Sequence, residues 1–250
     1  TKDSGTKSFL SLQSAVKALI NESINLLVTA PINKNNIQSE EFKFPGHTDY
    51  LAKELSGESL MFMICDELKV GLLTDHIPLK DINSHITKQR IEQKFSLINE
   101  SLKKDFGIQK PKIAVLSIDP HVGDGGVIGN DDQDLLKPVL LEIASKGNLV
   151  FGPFSSDSFF GSGLHKKYDA VLAIYHDQGR IPFKTLSFGS GVNYTAGLNK
   201  IRTSPDHGTG YDIAGKGLAD STSFKNAIFS AIDILKSRKL FDDLNKNPLT

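Results

Sequence analysis

The sequence predicts an α/β protein built on a mostly parallel sheet, and three observations carry that expectation. Residues 69–73, 112–118 and 170–175 are short, nearly continuous apolar runs bounded by polar residues and glycine, the pattern of strands covered on both faces. Amphipathic stretches separate them, the longest with Ile86, Ile91, Phe95, Leu97, Ile98 and Leu102 at helical spacing. Each run also leads at once into a histidine, in Thr74-Asp75-His76, Asp119-Pro120-His121 and His176-Asp177-Gln178. Functional groups gather just past the carboxyl ends of parallel strands.

A single histidine after a strand serves as readily as a loop residue or a cap. Three at equivalent places on one parallel sheet would share an edge, where imidazoles could converge on a divalent cation and leave positions open for substrate. Asp75, Asp119 and Asp177 lie beside them, either as partners for the second ring nitrogen or as ordinary turn and capping residues.

Composition narrows the classes of function. The 250 residues are 39% hydrophobic, enough for one large α/β unit or two lobes. Lys+Arg and Asp+Glu stand at 29 each, so no global charge favours nucleic acid or an anionic membrane, and any bound anion needs a local site. Cys65 is the only cysteine, which excludes an internal disulfide; its place in the run MFMIC predicts burial. No stretch is long and apolar enough for a bilayer, and the polar start TKDSGTK lacks the core of a secretory signal. The expectation is a cytoplasmic protein.

In chain order, residues 8–20 read as a helix leading into a strand at 25–29. Pro45-Gly46 forces a turn before a helix that reaches Leu55. His47 and Thr48 fall at that helix's N-terminus, a place that favours an anion; alternatively Thr48 or Asp49 merely caps it. His85 is expected inside the first turns of the long helix, on its surface. A glycine-dense loop at 122–129 precedes a helix at 131–146, and Asp157 ends a polar connection. His165, with no strand before it, is left out of the site. Lys184, Asn193 and Arg202 add two cations and an amide, the types that hold phosphate or carboxylate, although each alone reads as a surface residue. A second glycine-rich turn spans 205–217, and a helix at 221–239 closes the chain.

Taken together, VTAPINK (28–34), FPGHTDY (44–50), LLTDHIPL (72–79), DPHVGDGG (119–126), AIYHDQGRIPFK (173–184), FGSGVN (188–193) and IRTSPDHGTGYDIAGKG (201–217) closely resemble the 4-hydroxythreonine-4-phosphate dehydrogenases of pyridoxal phosphate synthesis. The match covers nearly the whole chain. It implies a two-lobed, three-layer α/β/α fold of the isocitrate/isopropylmalate dehydrogenase type. Residues 1–37 and 204–250 would form the cofactor-side lobe, and 38–203 the metal-binding and dimerisation lobe. It implies a metal held by His76, His121 and His176, the last reaching across a homodimer interface, with zinc favoured and magnesium, manganese or cobalt possible alternatives. It implies substrate contacts from His47, Thr48, Lys184, Asn193 and Arg202, a family active-site position at Asp157, and a NAD or NADP site lined by Asp206, His207, Gly208, Thr209, Asp212 and Ile213. Ser190 stands where many members of that family carry arginine, which puts one anion contact in question. Relative to that family the chain lacks an N-terminal region, from which a weakened cofactor cleft is expected.

The reaction implied is oxidation of 4-(phosphooxy)-L-threonine and decarboxylation to 3-amino-2-oxopropyl phosphate. A related dehydrogenase of phosphothreonate or phosphoerythronate is the nearest alternative. A metal-dependent hydrolase and a catalytically inert binding domain are the alternatives from other classes.

Overall fold

The computed structural model describes residues 1–55 and 57–246. The chain forms two compact units, one of Thr1–Ser59 with Gly189–Thr250 and one of Leu60–Phe188.

The first unit opens with α1 (Lys2–Ile20), six residues ahead of the expected start. Polar residues fill those first turns without an apolar signal, but Thr1 and Ser4 form a reciprocal capping box that starts the helix there. Phe9, Leu12, Val16 and Leu19 supply its buried face. After β1 (Leu26–Val28) the chain turns through an irregular stretch into α2 (His47–Glu54). Phe9, Phe42, Phe44 and Tyr50 close into an aromatic cluster with ring centroids 5.4 to 5.8 Å apart, mostly edge to face. That cluster fastens α2 and the stretch before it to α1.

The second unit carries β2 (Leu60–Ile64), β3 (Lys69–Leu72), β4 (Lys112–Leu116), β5 (Leu149–Phe154) and β6 (Ala170–Ala173), in the spatial order β2-β3-β6-β4-β5. β2 pairs antiparallel with β3, and the other pairings are parallel. The three apolar runs are therefore adjacent parallel strands, as their composition predicts. Between β3 and β4 the expected long helix is two pieces, α3 (Ile82–His85) and α4 (Lys88–Lys104). Ile86 and Thr87 are extended, and the Thr87 hydroxyl accepts the Arg90 N–H at 3.2 Å. His85 thus ends the short piece instead of riding inside the long one, with its Nδ1 2.8 Å from the Asp81 carbonyl.

The helix expected at 131–146 begins as a π turn (Asp132–Leu136) and continues as α5 (Lys137–Ser145). Pro138, in its first turn, has no N–H to donate into a regular α ladder. α6 (Ser156–Gly161) follows β5, and α7 (His176–Ser187) follows β6. α7 lies close on the sheet because Gly179 has no Cβ: one built there would stand 2.8 Å from the Ala173 Cβ and the Val70 Cγ1. Met61, Met63, Val70, Leu72, Leu116, Phe159 and Phe183 are among the buried side chains of this core. Cys65, expected to be buried, is half-buried at its margin, and partial burial pushes its thiol up.

The chain then returns to the first unit with β7 (Val192–Ala196), β8 (Ile201–Pro205) and α8 (Thr222–Lys246). α8 runs seven residues past the expected end at 239. β8 pairs parallel with β1 and antiparallel with β7. The units part at 59/60 and 188/189, displaced from the expected 37/38 and 203/204. The aromatic cluster draws 38–59 into the first unit, and the β7–β8 ladder draws in 189–203. No helix of the described residues is long and apolar enough to cross a membrane.

Candidate active site

Two sites emerge, one in each unit. In the first, strand alternation puts Asn193 and Thr195 of β7 on the same sheet face as Arg202 of β8, Thr195 being opposite Arg202 in the antiparallel register. Arg202 is 3% exposed. Its Nε and Nη2 donate to the Thr29 hydroxyl at 3.1 and 2.7 Å, and its Nη1 to the Thr195 hydroxyl at 3.2 Å. Burial pulls the guanidinium down to about 10, so it stays charged at neutral pH. Among the described residues no carboxylate pairs with it. A buried cation bonded only to neutral hydroxyls is chemically suited to pair with an anion.

His47 completes this site. It is the first residue of α2, whose N-cap, Gly46, makes no side-chain cap bond. Thr48 and Asp49 sit within the first turn and leave the alternative capping role unfilled. The helix end therefore presents open N–H groups and the positive end of its dipole. Burial, then the charges of Arg202 and Lys34, push the His47 imidazole down to about 3, so it is neutral at neutral pH. A cleft of about 530 Å³ beside it is lined by Lys7, Ser8, Ser11, Thr29 and His47 among others. The Asn193 side-chain oxygen is buried without a hydrogen-bond partner.

The expected cofactor residues belong to this unit too. His207, Gly208 and Thr209 line a second cleft, of about 320 Å³, with Ser4, Ser8 and Asn33. Asp206 donates its N–H to the Ser223 hydroxyl at 2.9 Å, while Asp212 and Ile213 lie in the short 3₁₀ turn Tyr211–Ile213.

In the second unit the carboxyl ends of β3, β6 and β4 do deliver His76, His176 and His121 to one edge. His76 and His176 are neighbours, with ring centroids 5.6 Å apart, over a cleft of about 290 Å³ that Asp75, Tyr175 and Asp177 also line. His176 Nδ1 lies 2.7 Å from an Asp177 oxygen, an arrangement that leaves Nε2 as the atom for a ligand bond. His121 stands apart. Its loop, Pro120–Gly126, has left-handed backbone from His121 to Gly125, with φ of 52° at His121, 59° at Val122 and 45° at Asp124. Such backbone is costly for a β-branched residue such as Val122. Gly123 and Gly129 allow the loop to fold on itself: a Cβ on Gly129 would lie 2.2 Å from an Asp119 carboxylate oxygen.

No group of three His, Cys, Asp or Glu among the described residues of one chain is close enough to share a cation. Two imidazoles with a carboxylate behind one of them fit part of a divalent-cation site, and the third imidazole is held on the adjoining arm. The expectation that His176 acts across a dimer interface meets a chain in which His176 is the immediate neighbour of His76. Asp157, at the start of α6, is exposed; the Ser155 hydroxyl first, then the Ser158 N–H, hold it below the usual carboxylate range, and a smaller contribution comes from His121. Lys184 is exposed on α7, two turns beyond His176. His165 lies outside both sites, buried on a 3₁₀ turn with neither ring nitrogen hydrogen-bonded.

The motif reading passed over Thr29 and Thr195 as individual residues, although both lie at alternate positions of strands that carry site residues, a signal the sequence contains. It also assigned no role to Asp132. That carboxylate is fully buried and accepts the N–H groups of Ile118 and Asp119 at 2.9 and 2.8 Å, pinning the start of the His121 loop.

A parallel sheet with titratable groups at its carboxyl edge, together with a buried anion-seeking cation, places the chain among α/β metabolic enzymes of small anionic substrates. Residues 1–231 match the profile of the pyridoxal phosphate biosynthetic protein PdxA, and the chain belongs to that family. It is 47% identical over 249 residues to the 4-hydroxythreonine-4-phosphate dehydrogenase of Bacteroides thetaiotaomicron, covering 99% of this chain and 68% of the relative. It is likewise 47% identical over 241 residues to that of a Sulfurihydrogenibium species, covering 96% of this chain and 74% of the relative. The crystal structure of the Klebsiella pneumoniae 4-hydroxythreonine-4-phosphate dehydrogenase superposes with a TM-score of 0.81 at 35% identity, over 94% of this chain and 72% of that one. A terephthalate 1,2-cis-dihydrodiol dehydrogenase from Burkholderia xenovorans superposes with a TM-score of 0.69 at 25% identity, over 93% and 74%. The fold is thus the α/β type shared by these dehydrogenases, and the chain is an oxidoreductase by family.

Proposed function

We propose that the protein oxidises 4-(phosphooxy)-L-threonine with a nicotinamide nucleotide and releases carbon dioxide from the product, giving 3-amino-2-oxopropyl phosphate. The observation that carries this reading is Arg202, a fully buried guanidinium without a carboxylate, beside the uncapped N-terminus of α2. A terephthalate dihydrodiol offers such a cation carboxylates alone, whereas a phosphorylated hydroxy-amino acid offers both phosphate and carboxylate.

In this reading Arg202 and the first N–H groups of α2 hold one anionic end of the substrate. Neutral His47 adds a hydrogen bond without adding charge, because burial keeps its proton off. Thr29 and Thr195 keep the guanidinium fork in one plane, so the substrate is oriented before any bond changes. Lys184 and Asn193 serve the other polar groups of the substrate. His76, His121 and His176 would hold a divalent cation, zinc being best suited to three imidazoles, with Asp177 orienting His176. When bound, the nucleotide would supply the hydride acceptor and the cation would supply Lewis acidity at the hydroxyl oxygen on the carbon that is oxidised. Residues 206–213 would line the nucleotide site. The cleft there has no Lys or Arg among its lining residues, which favours NAD over a 2′-phosphorylated nucleotide. We further propose a cytoplasmic homodimer in which a second copy completes the three-imidazole set.

The test is a panel of phosphorylated hydroxy acids, including 4-phosphothreonate and 4-phosphoerythronate, with NAD or NADP and with or without added divalent cation, followed by nicotinamide absorbance. Turnover restricted to the phosphorylated amino acid, dependent on NAD and cation, is expected. Equal turnover of unphosphorylated substrates would overturn the reading of the Arg202 site.

A further inference from the structure

The Arg202 site has a second cation beside it. Lys34 lies on the irregular stretch that follows Thr29, the residue whose hydroxyl holds the Arg202 guanidinium. Side chains fix the shape of that stretch. The Asn33 carboxamide oxygen accepts the N–H groups of Asn35 and Asn36 at 3.1 and 2.9 Å, closing a turn around Lys34. The Gln38 NH2 group donates to the Lys34 carbonyl at 3.1 Å and to the Phe44 carbonyl at 2.9 Å, which ties the turn to the segment leading into α2. Buried Ile37 and Phe42 anchor the stretch between these two bonds.

This arrangement brings the Lys34 side chain to the start of α2. A Cβ built on Gly46, the N-cap, would stand 3.9 Å from Lys34 Cε and meet no other described atom within 4 Å beyond its chain neighbours. Gly46 therefore leaves the helix end open, and the side chain that borders the opening is a lysine. Its ammonium forms no ion pair or hydrogen bond among the described residues. Its charge reaches His47, the first residue of the helix, as that of Arg202 does.

The two cations differ in kind. Arg202 is buried with its fork locked, whereas Lys34 is exposed, on a flexible stem whose three donors can follow a ligand. One guanidinium is enough for a carboxylate. A phosphate ester carries about 1.5 to 2 negative charges at neutral pH, and the open end of a helix answers only about 0.5 of a charge. Neutral His47 answers none.

We propose that Lys34 closes on the anion held by Arg202 and the α2 N-terminus and supplies the second positive charge, which suits the site to a dianionic phosphoryl group over a carboxylate. The proposal rests on reading the Arg202 site as the anion-binding end of the substrate pocket.

The test uses the full chain with Lys34→Met, which keeps the length of the stem, and Lys34→Arg, which keeps the charge, with Arg202→Met beside them. Inorganic phosphate and acetate are the probes, and their Kd values are read from ligand-dependent thermal unfolding at constant ionic strength. Lys34→Met is expected to weaken phosphate by about 5- to 30-fold, the charge-assisted range reduced for a side chain that water reaches in the free protein. Acetate, with one charge, is expected to lose less than about threefold or to fail to register in the parent as well. Lys34→Arg is expected to stay within about threefold of the parent for phosphate. With 4-(phosphooxy)-L-threonine the loss in Lys34→Met is expected in KM, with kcat within about twofold, as for a contact equally strong in the ground and transition states. The ligand-free midpoints of both Lys34 variants are expected within about 2 °C of the parent, since an exposed side chain is being changed. Phosphate affinity in Lys34→Met within about twofold of the parent, or an equal loss for phosphate and acetate, overturns the proposal; a loss in Arg202→Met then leaves Arg202 alone as the cation for the anion. A parent that binds no phosphate, or an Arg202→Met variant with parent affinity, overturns the Arg202 reading and the proposal with it.

Discussion

Replacing Arg202 by methionine should separate binding from stability, because the structure assigns the two effects opposite causes. The guanidinium is 3% exposed and holds three hydrogen bonds to two threonine hydroxyls. Removing it deletes a buried ion whose desolvation costs several kcal/mol, and it leaves two hydroxyls to find partners at about 1–3 kcal/mol each. These terms largely offset, so the unfolding free energy should move by no more than about 2 kcal/mol. For a chain of this size that is a midpoint shift within about 8 °C. Substrate binding has no such offset. Losing a desolvated, charge-assisted contact costs about 2–5 kcal/mol, or roughly 30- to 5,000-fold in kcat/KM. Inorganic phosphate at 100 times its Kd should raise the parent's stability by about 2.7 kcal/mol and leave the variant unmoved. Arg202→Lys should recover little, since one ammonium cannot reproduce the fork that reaches both Thr29 and Thr195. Steady-state kinetics and thermal unfolding with and without phosphate make the measurement. A variant that unfolds far below the parent while keeping its kcat/KM would show that Arg202 is there for the fold.

Three further outcomes follow from named contacts. His47 has its folded pKa depressed to about 3 from 6.5, so the unfolded chain takes up the proton first as pH falls; its contribution is complete above 6.5 and drains away toward 3. This should cost about 2 kcal/mol by pH 5, seen as a falling urea midpoint whose slope lessens in His47→Asn; identical slopes in both proteins would refute it. Gly129→Ala drives a methyl to within 2.2 Å of an Asp119 carboxylate oxygen, and should cost about 1–3 kcal/mol in thermal stability while weakening divalent-cation binding through the His121 loop. His165 is 3% exposed with both ring nitrogens unpartnered against the Phe160 ring, so His165→Leu should raise stability by about 1–3 kcal/mol and leave kcat/KM unchanged. A drop in midpoint there would mean that the ring nitrogens have partners in solution.

The histidine-bearing edge was legible because its strands are buried on both faces. Such strands print as unbroken apolar runs, and a parallel pairing puts all their carboxyl ends together. The His121 loop was not legible, since nothing in DPHVGDGG announces five successive left-handed residues: glycine permits that backbone at Gly123 and Gly125, but the closure onto Gly129 imposes it on Val122 and Asp124. The long helix failed at Ile86-Thr87 for a related reason. The apolar spacing runs through the break, and only Thr87 as a cap to Arg90 marks the new start. The expected boundary at 37/38 came with the family resemblance alone, whereas in FPGHTDY the rings of Phe44 and Tyr50 pack with each other and Tyr50 packs on Phe9 of α1, which groups that motif with the first unit.

Arg202, a substrate contact by the family resemblance, shows how the burial of a site residue can go unread in its own strand. An arginine in IRTSP looks like a solvated edge residue, and taken alone that is the ordinary reading. The neighbours argue otherwise. Tyr194 and Thr203 face each other in the β7–β8 register and are both fully buried, and Thr195 and Thr29 are buried on the opposite face. A strand covered on both sides cannot release a long cationic side chain to water, so the charge has to be answered inside the protein. Thr29 and Thr195 answer its hydrogen bonds and no described residue answers its charge. Burial also strips the proton from His47 beside it, where a second fixed cation would have been the simpler way to attract an anion. The site therefore combines one buried positive charge, with Lys34 close enough to act on His47, a helix end and a neutral imidazole, the set that the proposed phosphorylated substrate would need at its dianionic end.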